Sequence, residues 1–599
     1  MTYLSFPRQH ARTQRFTLGA PRSFAVAPDG KRVVFVRSRS GTERTQLLWV
    51  LDVAAGGAAG GPASGPASDP ADTDGERIVA DPVALLGGGD EELSAAERAR
   101  RERSREGSAG VVGYAVDSAV ELAAFALSGR LFVAGLRAGL GAPEALDTPD
   151  TGAADGVSGA TDIKGTAGAT GARELTVPGP VVDPRPSPDG RHVAYASGGA
   201  LRVVETTGKS DRAIVTPDGE SVTWGLAEFV AAEEMSRTRG FWWSPDSTAL
   251  LVARVDESPV QRWWIAEPAH PDRAPVEVAY PAAGTPNADV SLALFGLDGS
   301  RVDVTWDRER FPYLAVVHWS ASGPPLLLVQ ARDQREQRYL AVDTATGATE
   351  TVQTEEDRIW LDLFPGVPVR TPSGELVRIT DEGDVRVLKV GEKTLTDGEL
   401  HVRAVLDAGG GRGPASPDSP ASAELPDSPE TPAGSELPAG SEIDVLVSAS
   451  AGRRAADPEI GEVHVYRVTA AGAVRISERP GVHTAVRGAG LTVLTSTGLD
   501  FPGARTRVLR GGVPVAEIAS YAEVPSVTAR PRLLETSTRR IPTAVLLPTG
   551  YAEGDGPLPV LLDPYGGPHG QRVYAAHNAH TQSQWFADQG FAVIVADGR

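Results

Sequence analysis

The 599-residue sequence predicts a mainly β protein, an N-terminal β-propeller followed by the start of an α/β domain. Three observations carry that prediction. Short alternating strands recur around Pro-Asp-Gly turns, the repeats are spaced by about 50 residues, and from about Val524 the pattern changes to longer apolar strands joined through helical sequence.

The repeating unit is a strand, a tight turn and a second strand. Ser23-Phe24-Ala25-Val26, Pro28-Asp29-Gly30 and Val33-Val34-Phe35-Val36 form the first copy. Ser187-Pro188-Asp189-Gly190 before His192-Val193-Ala194-Tyr195, Ser244-Pro245-Asp246-Ser247 before Ala249-Leu250-Leu251-Val252, and Leu297-Asp298-Gly299 before Val302-Asp303-Val304 repeat the pattern. Proline presets one turn dihedral, and Asp and Gly accept the remaining corner, so each copy reads as a hairpin. Hairpins at this spacing, with further strands such as Leu201-Arg202-Val203-Val204, predict four-stranded blades.

Near the C-terminus, Ile541 to Leu547, Leu558 to Asp563 and Phe591 to Ala596 read as strands, and Thr581 to Gln589 as an amphipathic helix. Continuous apolar strands joined through helices predict a parallel sheet covered on both faces. Three stretches near 54–75, 139–171 and 408–441 are dominated by Gly, Ala, Pro, Ser and Asp and are expected to be disordered insertions.

Composition excludes some function classes. With 78 acidic against 58 basic residues, a balance of −20, the chain lacks the cationic excess that a phosphate-backbone partner requires, so no nucleic acid is expected. Cysteine is absent, which removes thiol catalysis and thiolate metal ligation and fits a reducing compartment. Met1 through Gln14 is polar and no run of about 18 apolar residues occurs, so a protein that is cytoplasmic, with no membrane association, is expected. The 10 histidines show no helical zinc spacing, and neither metal nor cofactor is expected.

One segment points to chemistry: Ala227-Glu228-Phe229-Val230-Ala231-Ala232-Glu233-Glu234-Met235, followed by Gly240-Phe241-Trp242-Trp243-Ser244-Pro245-Asp246 and Arg254-Val255-Asp256-Glu257-Ser258. Adjacent glutamates alone mean little, since Glu91-Glu92 and Glu355-Glu356 also occur. The full string, however, resembles the double-glutamate motif of the dipeptidyl peptidase IV group of the prolyl oligopeptidase family, in particular its bacterial and dipeptidyl peptidase 8/9-like members.

The resemblance implies that Glu233 and Glu234 hold the free α-ammonium of a peptide in a cavity between propeller and hydrolase. An ammonium offers three donors, and only a charged peptide start compensates two desolvated carboxylates. Dipeptides would then leave from the N-terminus, with proline or alanine preferred before the cut. Arg100-Arg101-Glu102-Arg103-Ser104-Arg105 resembles the arginine stretch that donates to a substrate carbonyl, with Arg105 as the matching position. The competing reading of Glu91 to Glu106 is a charged surface helix with ordinary i,i+4 pairs.

Leu561-Leu562-Asp563-Pro564-Tyr565-Gly566-Gly567-Pro568-His569-Gly570 resembles the strand-exit motif whose tyrosine donates to the oxyanion, which implies a catalytic role for Tyr565. His569 is not a position the family uses as a base. No Gly-x-Ser-x-Gly elbow occurs, and Gly156-Val157-Ser158-Gly159 is rejected because Ala160 follows and no strand precedes it. The ending Val595-Ala596-Asp597-Gly598-Arg599 resembles the strand that stands one helix and one strand before the elbow.

The resemblance therefore implies a propeller of seven or eight blades over 1–523 and the incomplete N-terminal part of an α/β-hydrolase peptidase domain over 524–599. The catalytic serine, aspartate and histidine are expected in a continuation beyond residue 599, so the chain is read as C-terminally truncated and inactive alone. Peptides with a free N-terminus are the expected partners, and a homodimer is allowed by the family habit. Two alternatives stay open: a non-catalytic propeller that binds peptide ends, and an acylaminoacyl or prolyl oligopeptidase-type peptidase.

Overall fold

The computed structural model describes residues 5–54, 75–89, 91–138, 171–383, 385–409, 443–552, 554–565 and 570–598. The insertions expected near 54–75, 139–171 and 408–441 fall almost wholly outside the described residues. Eight antiparallel sheets follow one another along the chain, at 22–80, 115–175, 182–215, 222–304, 313–356, 369–394, 400–475 and 482–518, and are numbered as blades 1 to 8.

The turns obey the chemistry that the sequence suggests. At the first, Gly30 takes a left-handed φ of 65°, its N–H donates to the Ala27 carbonyl at 2.9 Å, and Asp29 accepts from the Lys31 N–H at 3.0 Å. Asp189 and Asp246 accept in the same way from the backbone N–H groups two residues on, each also bonded to the serine two residues before it. These three turns join the first and second long strands of blades 1, 3 and 4. Leu297-Asp298-Gly299 instead joins the outer strands Asp289–Gly296 and Arg301–Val304 of blade 4, so this copy opens no new blade.

Side chains from neighbouring blades form shared cores, which is how a propeller buries both faces of every sheet. Val34, Val36, Phe125 and Phe132 join blades 1 and 2. Val377, Ile379, Val445 and Val447 join blades 6 and 7. The ring closes through a core shared by Phe35, Trp49, Leu491 and Val508 of blades 1 and 8. At this seam Arg37 is fully buried, paired with Glu76 at 2.5 Å, and its guanidinium lies 4.0 Å from the ring centre of Tyr521.

After blade 8 a further four-stranded sheet is ordered Arg532–Thr536, Ile541–Leu546, Ala592–Asp597, Val560–Tyr565. The expected parallel sheet is only partly realised. Val560–Tyr565 runs parallel to Ala592–Asp597 through the crossover helix Thr581–Ala587, whereas the other two pairings are antiparallel. For the outer pair the reason is connection length: four residues between Thr536 and Ile541 allow a hairpin but no crossover. Coverage on both faces is also incomplete, since Val560 and Leu562 on the edge strand are 58% and 66% exposed.

The N-terminal helix Phe6–Arg12 packs on this sheet's side of the molecule. The rings of Phe6 and Trp585 stack at 6.4 Å, and Gln9 Nε2 donates to the Val524 carbonyl at 2.9 Å. Blades 7 and 8 meet the segment 571–578 through Ala575 N–H to the Gly461 carbonyl and His577 N–H to the Gly498 carbonyl, both 2.8 Å.

Candidate functional site

Blade 4 departs from the simple pattern, and the departure builds the site. Its long strand Ala249–Asp256 pairs with two separate segments, residues 250–252 with Phe241–Trp243 and residues 254–256 with Val222–Trp224. The inner strand is therefore split, and the chain leaves the sheet after Leu226 and returns at Arg239. Gly225 and Gly240 face each other where it leaves and returns. A Cβ on Gly240 would lie 2.3 Å from the backbone of Gly225 and Leu226, so the pinch requires glycine.

The excursion is the helix Phe229–Glu234. Its base is braced by Glu228, which pairs with Arg237 at 2.8 Å, both side chains buried. Arg237 also donates through Nε to the Leu314 carbonyl at 2.8 Å and through Nη1 to the Arg239 carbonyl at 2.9 Å. Ala231 is fully buried, and Met235 packs with Ala315, Leu328 and Tyr339 of blade 5. One side of the helix is thus fixed to blades 4 and 5. Glu233 and Glu234 end it and are exposed, at the helix terminus whose carbonyls carry partial negative charge.

The arginine stretch forms the helix Ala95–Arg103, capped by Ser94 Oγ accepting from the Glu97 N–H at 3.2 Å. It is more than a solvated face. Arg101 is buried and pairs with Glu91 at 2.6 Å and Glu97 at 2.8 Å. Burial pushes the Glu97 carboxyl up, but hydrogen bonds from Arg100 and Arg101 hold it below its ordinary range.

Arg103 is the arginine of this stretch that reaches the acidic helix, its guanidinium 5.4 Å from the ring centre of Phe229. Burial raises the Glu257 carboxyl, with Arg103 and Arg262 opposing the rise and Glu228 adding to it. Arg105 lies beyond the helix end with a φ of 54°, exposed, and its side chain makes no hydrogen bond or ion pair among the described residues. The structure therefore brings the two expected motifs together, with Arg103 in the contact. A third cation stands close by: burial, then Arg185, brings the Arg239 guanidinium down to about 9 against the pull of Asp183.

Tyr565 ends the strand Val560–Tyr565, its backbone in register with Asp597. Its side chain, and Gly566, Gly567, Pro568 and His569, lie outside the described residues. Asp597 is buried and accepts from the Arg572 N–H at 2.7 Å and the Val573 N–H at 3.3 Å. These bonds fold the residues after the strand exit back against the sheet. Gln571 accepts there from Arg403 Nη1 of blade 7 at 2.8 Å.

One group among the described residues has ligand-like spacing: Glu459, Glu462 and His464 at the blade 7 to blade 8 seam. Its centre is taken by Arg475, which pairs with Glu459 at 2.7 Å and approaches His464 Nε2 at 2.5 Å. The cluster already carries its own cation.

The sequence reading missed Arg103 and Glu257 beside the acidic helix and Arg403 beside the segment after the strand exit. Glu257 stood inside the quoted Arg254 to Ser258 segment, and Arg103 two residues before the chosen arginine. Nothing local marks Arg403, whose partner is 168 residues away.

Residues 163–403, which contain blades 3 to 6 and the acidic helix, match the dipeptidyl peptidase IV (DPP IV) N-terminal region. A probable dipeptidyl peptidase 4 of Neosartorya fischeri is 28% identical over 244 residues, covering 37% of this chain and 32% of the relative. A probable dipeptidyl-aminopeptidase B of Emericella nidulans is 24% identical over 471 residues, covering 69% of this chain and 47% of the relative. The chain thus spans a third to a half of the length of these curated relatives.

Among solved structures, Porphyromonas gingivalis dipeptidyl peptidase 4 superposes with a TM-score of 0.65 at 17% identity, covering 100% of this chain and 74% of that one. A putative dipeptidyl aminopeptidase IV from Bacteroides ovatus gives 0.62 at 13% identity, covering 98% and 74%. At these identities the superpositions speak to fold. The matched region 163–403 and the propeller fold around it are together consistent with a protein of the dipeptidyl peptidase IV type.

Proposed function

We propose that the chain is the recognition part of a serine-type dipeptidyl aminopeptidase that selects peptides by their free N-terminus. The observation that carries the reading is the split inner strand of blade 4, which projects a braced helix ending in two exposed carboxylates, Glu233 and Glu234. A peptide ammonium donates to both, and such charge-assisted bonds are about twice as strong as neutral ones. An acetylated or internal segment offers no positive charge there and cannot make those charge-assisted bonds.

Arginine completes the recognition. Arg103, beside Phe229, is the donor we assign to the substrate carbonyl in preference to Arg105, because it already lies at the acidic helix. Tyr565 is assigned to the oxyanion at the strand exit, where a preoriented donor contributes about 10²–10³ in rate. Proline or alanine before the cut, acyl transfer by a serine, aspartate and histidine, an α/β-hydrolase identity for the sheet that follows blade 8 and a cytoplasmic location belong to the same proposal.

The test is to measure release of dipeptide from Ala-Pro and Gly-Pro chromogenic amides by this chain and by a form extended through the downstream reading frame. The reading expects turnover by the extended form alone, and loss of it in Glu233→Gln. Unchanged kinetics in Glu233→Gln would favour an acylaminoacyl or prolyl oligopeptidase-type cut.

Self-association has one specific observation in its favour. The hairpin Arg262–Ile265 with Val276–Ala279 stands apart from the blade 4 sheet and exposes Trp264 at 65%, Ile265 at 59% and Val276 at 63%. We propose that this apolar arm pairs two copies, which sedimentation of a Trp264→Glu variant would test by yielding monomer.

A further inference from the structure

We infer that Arg403 is an anchor for the C-terminal carboxylate of short peptides, holding the leaving segment of a substrate whose N-terminus the acidic helix takes. The inference rests on the recognition reading above and names the substrate class that follows from it: oligopeptides short enough to be held at both ends.

Arg403 stands on Leu400–Asp407, the first strand of blade 7. Its guanidinium is half-buried and has two side-chain partners, both neutral: Ser450 Oγ at 2.9 Å and Gln571 Oε1 at 2.8 Å. No carboxylate lies within ion-pair distance of it among the described residues. Most buried arginines here are answered differently. Arg37 has Glu76, Arg101 has Glu91 and Glu97, and Arg237 has Glu228. A half-buried guanidinium without a directly bonded counter-charge is unfavourable, and an anionic ligand group would relieve it.

The surroundings add positive charge. His401, two residues away, is held down to about 4 by burial and by Arg403, Arg386 and Arg453, so these cations share one region. Arg386 is matched by Asp362 and Asp381. Tyr574 and Asp597 lie within electrostatic reach of Arg403, and the Asp597 oxygens accept from the N–H groups of Arg572 and Val573 rather than from the guanidinium. Arg403 itself has only neutral side chains at hydrogen-bond distance, in a chain whose formal balance is −20.

Location supplies the chemistry. Gln571, the partner of Arg403, comes six residues after Tyr565, and Asp597 is the register partner of Tyr565. Arg403 therefore borders the strand exit to which the proposed function gives the reacting carbonyl. The negative pole of the site is on blade 4 and this positive pole is on blade 7. An extended peptide advances about 3.3 Å per residue, so one chain length fits both poles best.

The experiment is calorimetric titration of the 599-residue protein with Ala-Pro-Alaₙ peptides from three to six residues. Each is offered as free acid, C-terminal amide and N-acetylated acid. At one length the free acid is expected to bind about tenfold tighter than the amide, the scale of one charge-assisted bond. In Arg403→Gln that ratio should fall to within about twofold, with the thermal melt recorded to show the variant folded. An arginine that only pins blade 7 to segment 571–578 would be indifferent to the far end of the ligand.

Equal binding of acid and amide at every length by the wild-type protein overturns the inference, whether or not the variant folds. So does an acid preference that survives in folded Arg403→Gln. The N-acetyl arm reports on the acidic helix alone: equal binding of acetylated and free peptides contradicts the recognition reading and leaves the acid-to-amide ratio to decide Arg403. Failure of every peptide to bind contradicts both.

Discussion

The carboxylate of Glu228 and the guanidinium of Arg237 meet at 2.8 Å beneath the acidic helix, each residue 6% exposed. Because Arg237 also holds the carbonyls of Leu314 and Arg239, this pair ties the helix to blade 5 and to the returning strand. Glu228→Gln leaves a buried cation without its partner, which costs about 3–5 kcal/mol. Chemical denaturation followed by tryptophan fluorescence should show that loss, and amine binding should weaken with it.

The pinch at Gly225 and Gly240 gives a second expectation. A methyl group at 240 would sit 2.3 Å from backbone atoms that cannot move without opening the blade. Gly240→Ala should therefore destabilise by about 1–3 kcal/mol, in the range of other overpacked sites. Gly490→Ala, with open space at its Cβ but a left-handed φ of 77°, isolates the backbone contribution for comparison.

Arg103 and Arg105 can be told apart by substitution. Arg103→Ala removes the contact with Phe229, which contributes about 0.5–1 kcal/mol at a partly exposed site. It should also weaken binding of a free-amine dipeptide product about tenfold, on the scale of a charge-assisted bond. Arg105→Ala should change affinity by less than about twofold, as exposed side chains without partners usually do. The reverse order would return the role to Arg105.

Acid sensitivity has a predicted sign at the seam of blades 7 and 8. Burial, with His464 beside it, brings His483 from 6.5 down to about 4. The unfolded chain then binds a proton that the folded chain refuses, so the contribution to stability is present above about 6.5 and is lost as pH falls toward about 4. Denaturant midpoints of wild type and His483→Gln, measured from pH 7 to pH 4, should converge as the pH drops.

Much of this architecture was legible in local chemistry. Asp29, Asp189 and Asp246 make the turns their neighbours predict, because an Asx turn is decided within four residues. The Glu233-Glu234 string was legible too, but its mechanical basis was not. The helix projects because Val222–Leu226 and Arg239–Trp243 share one partner strand, a pairing settled by tertiary register.

Long-range contacts account for the rest of what the sequence hid. Gln9 bonds to Val524, 515 residues away, so part of the polar N-terminus is a docked helix. The hairpin Arg532–Thr536 with Ile541–Leu546 reverses direction, and only the four-residue link would have warned that this sheet is mixed. Arg105 was chosen by motif position, whereas the helix ends at Arg103, and that end decides which guanidinium faces Phe229.

The most direct test of amine recognition is titration of the 599-residue protein with one tetrapeptide, Ala-Pro-Ala-Ala, and its N-acetylated form at low ionic strength. The account predicts that acetylation weakens binding by at least about tenfold, and that Glu233→Gln with Glu234→Gln erases the difference. Equal affinity of the two peptides for the wild-type protein would contradict it.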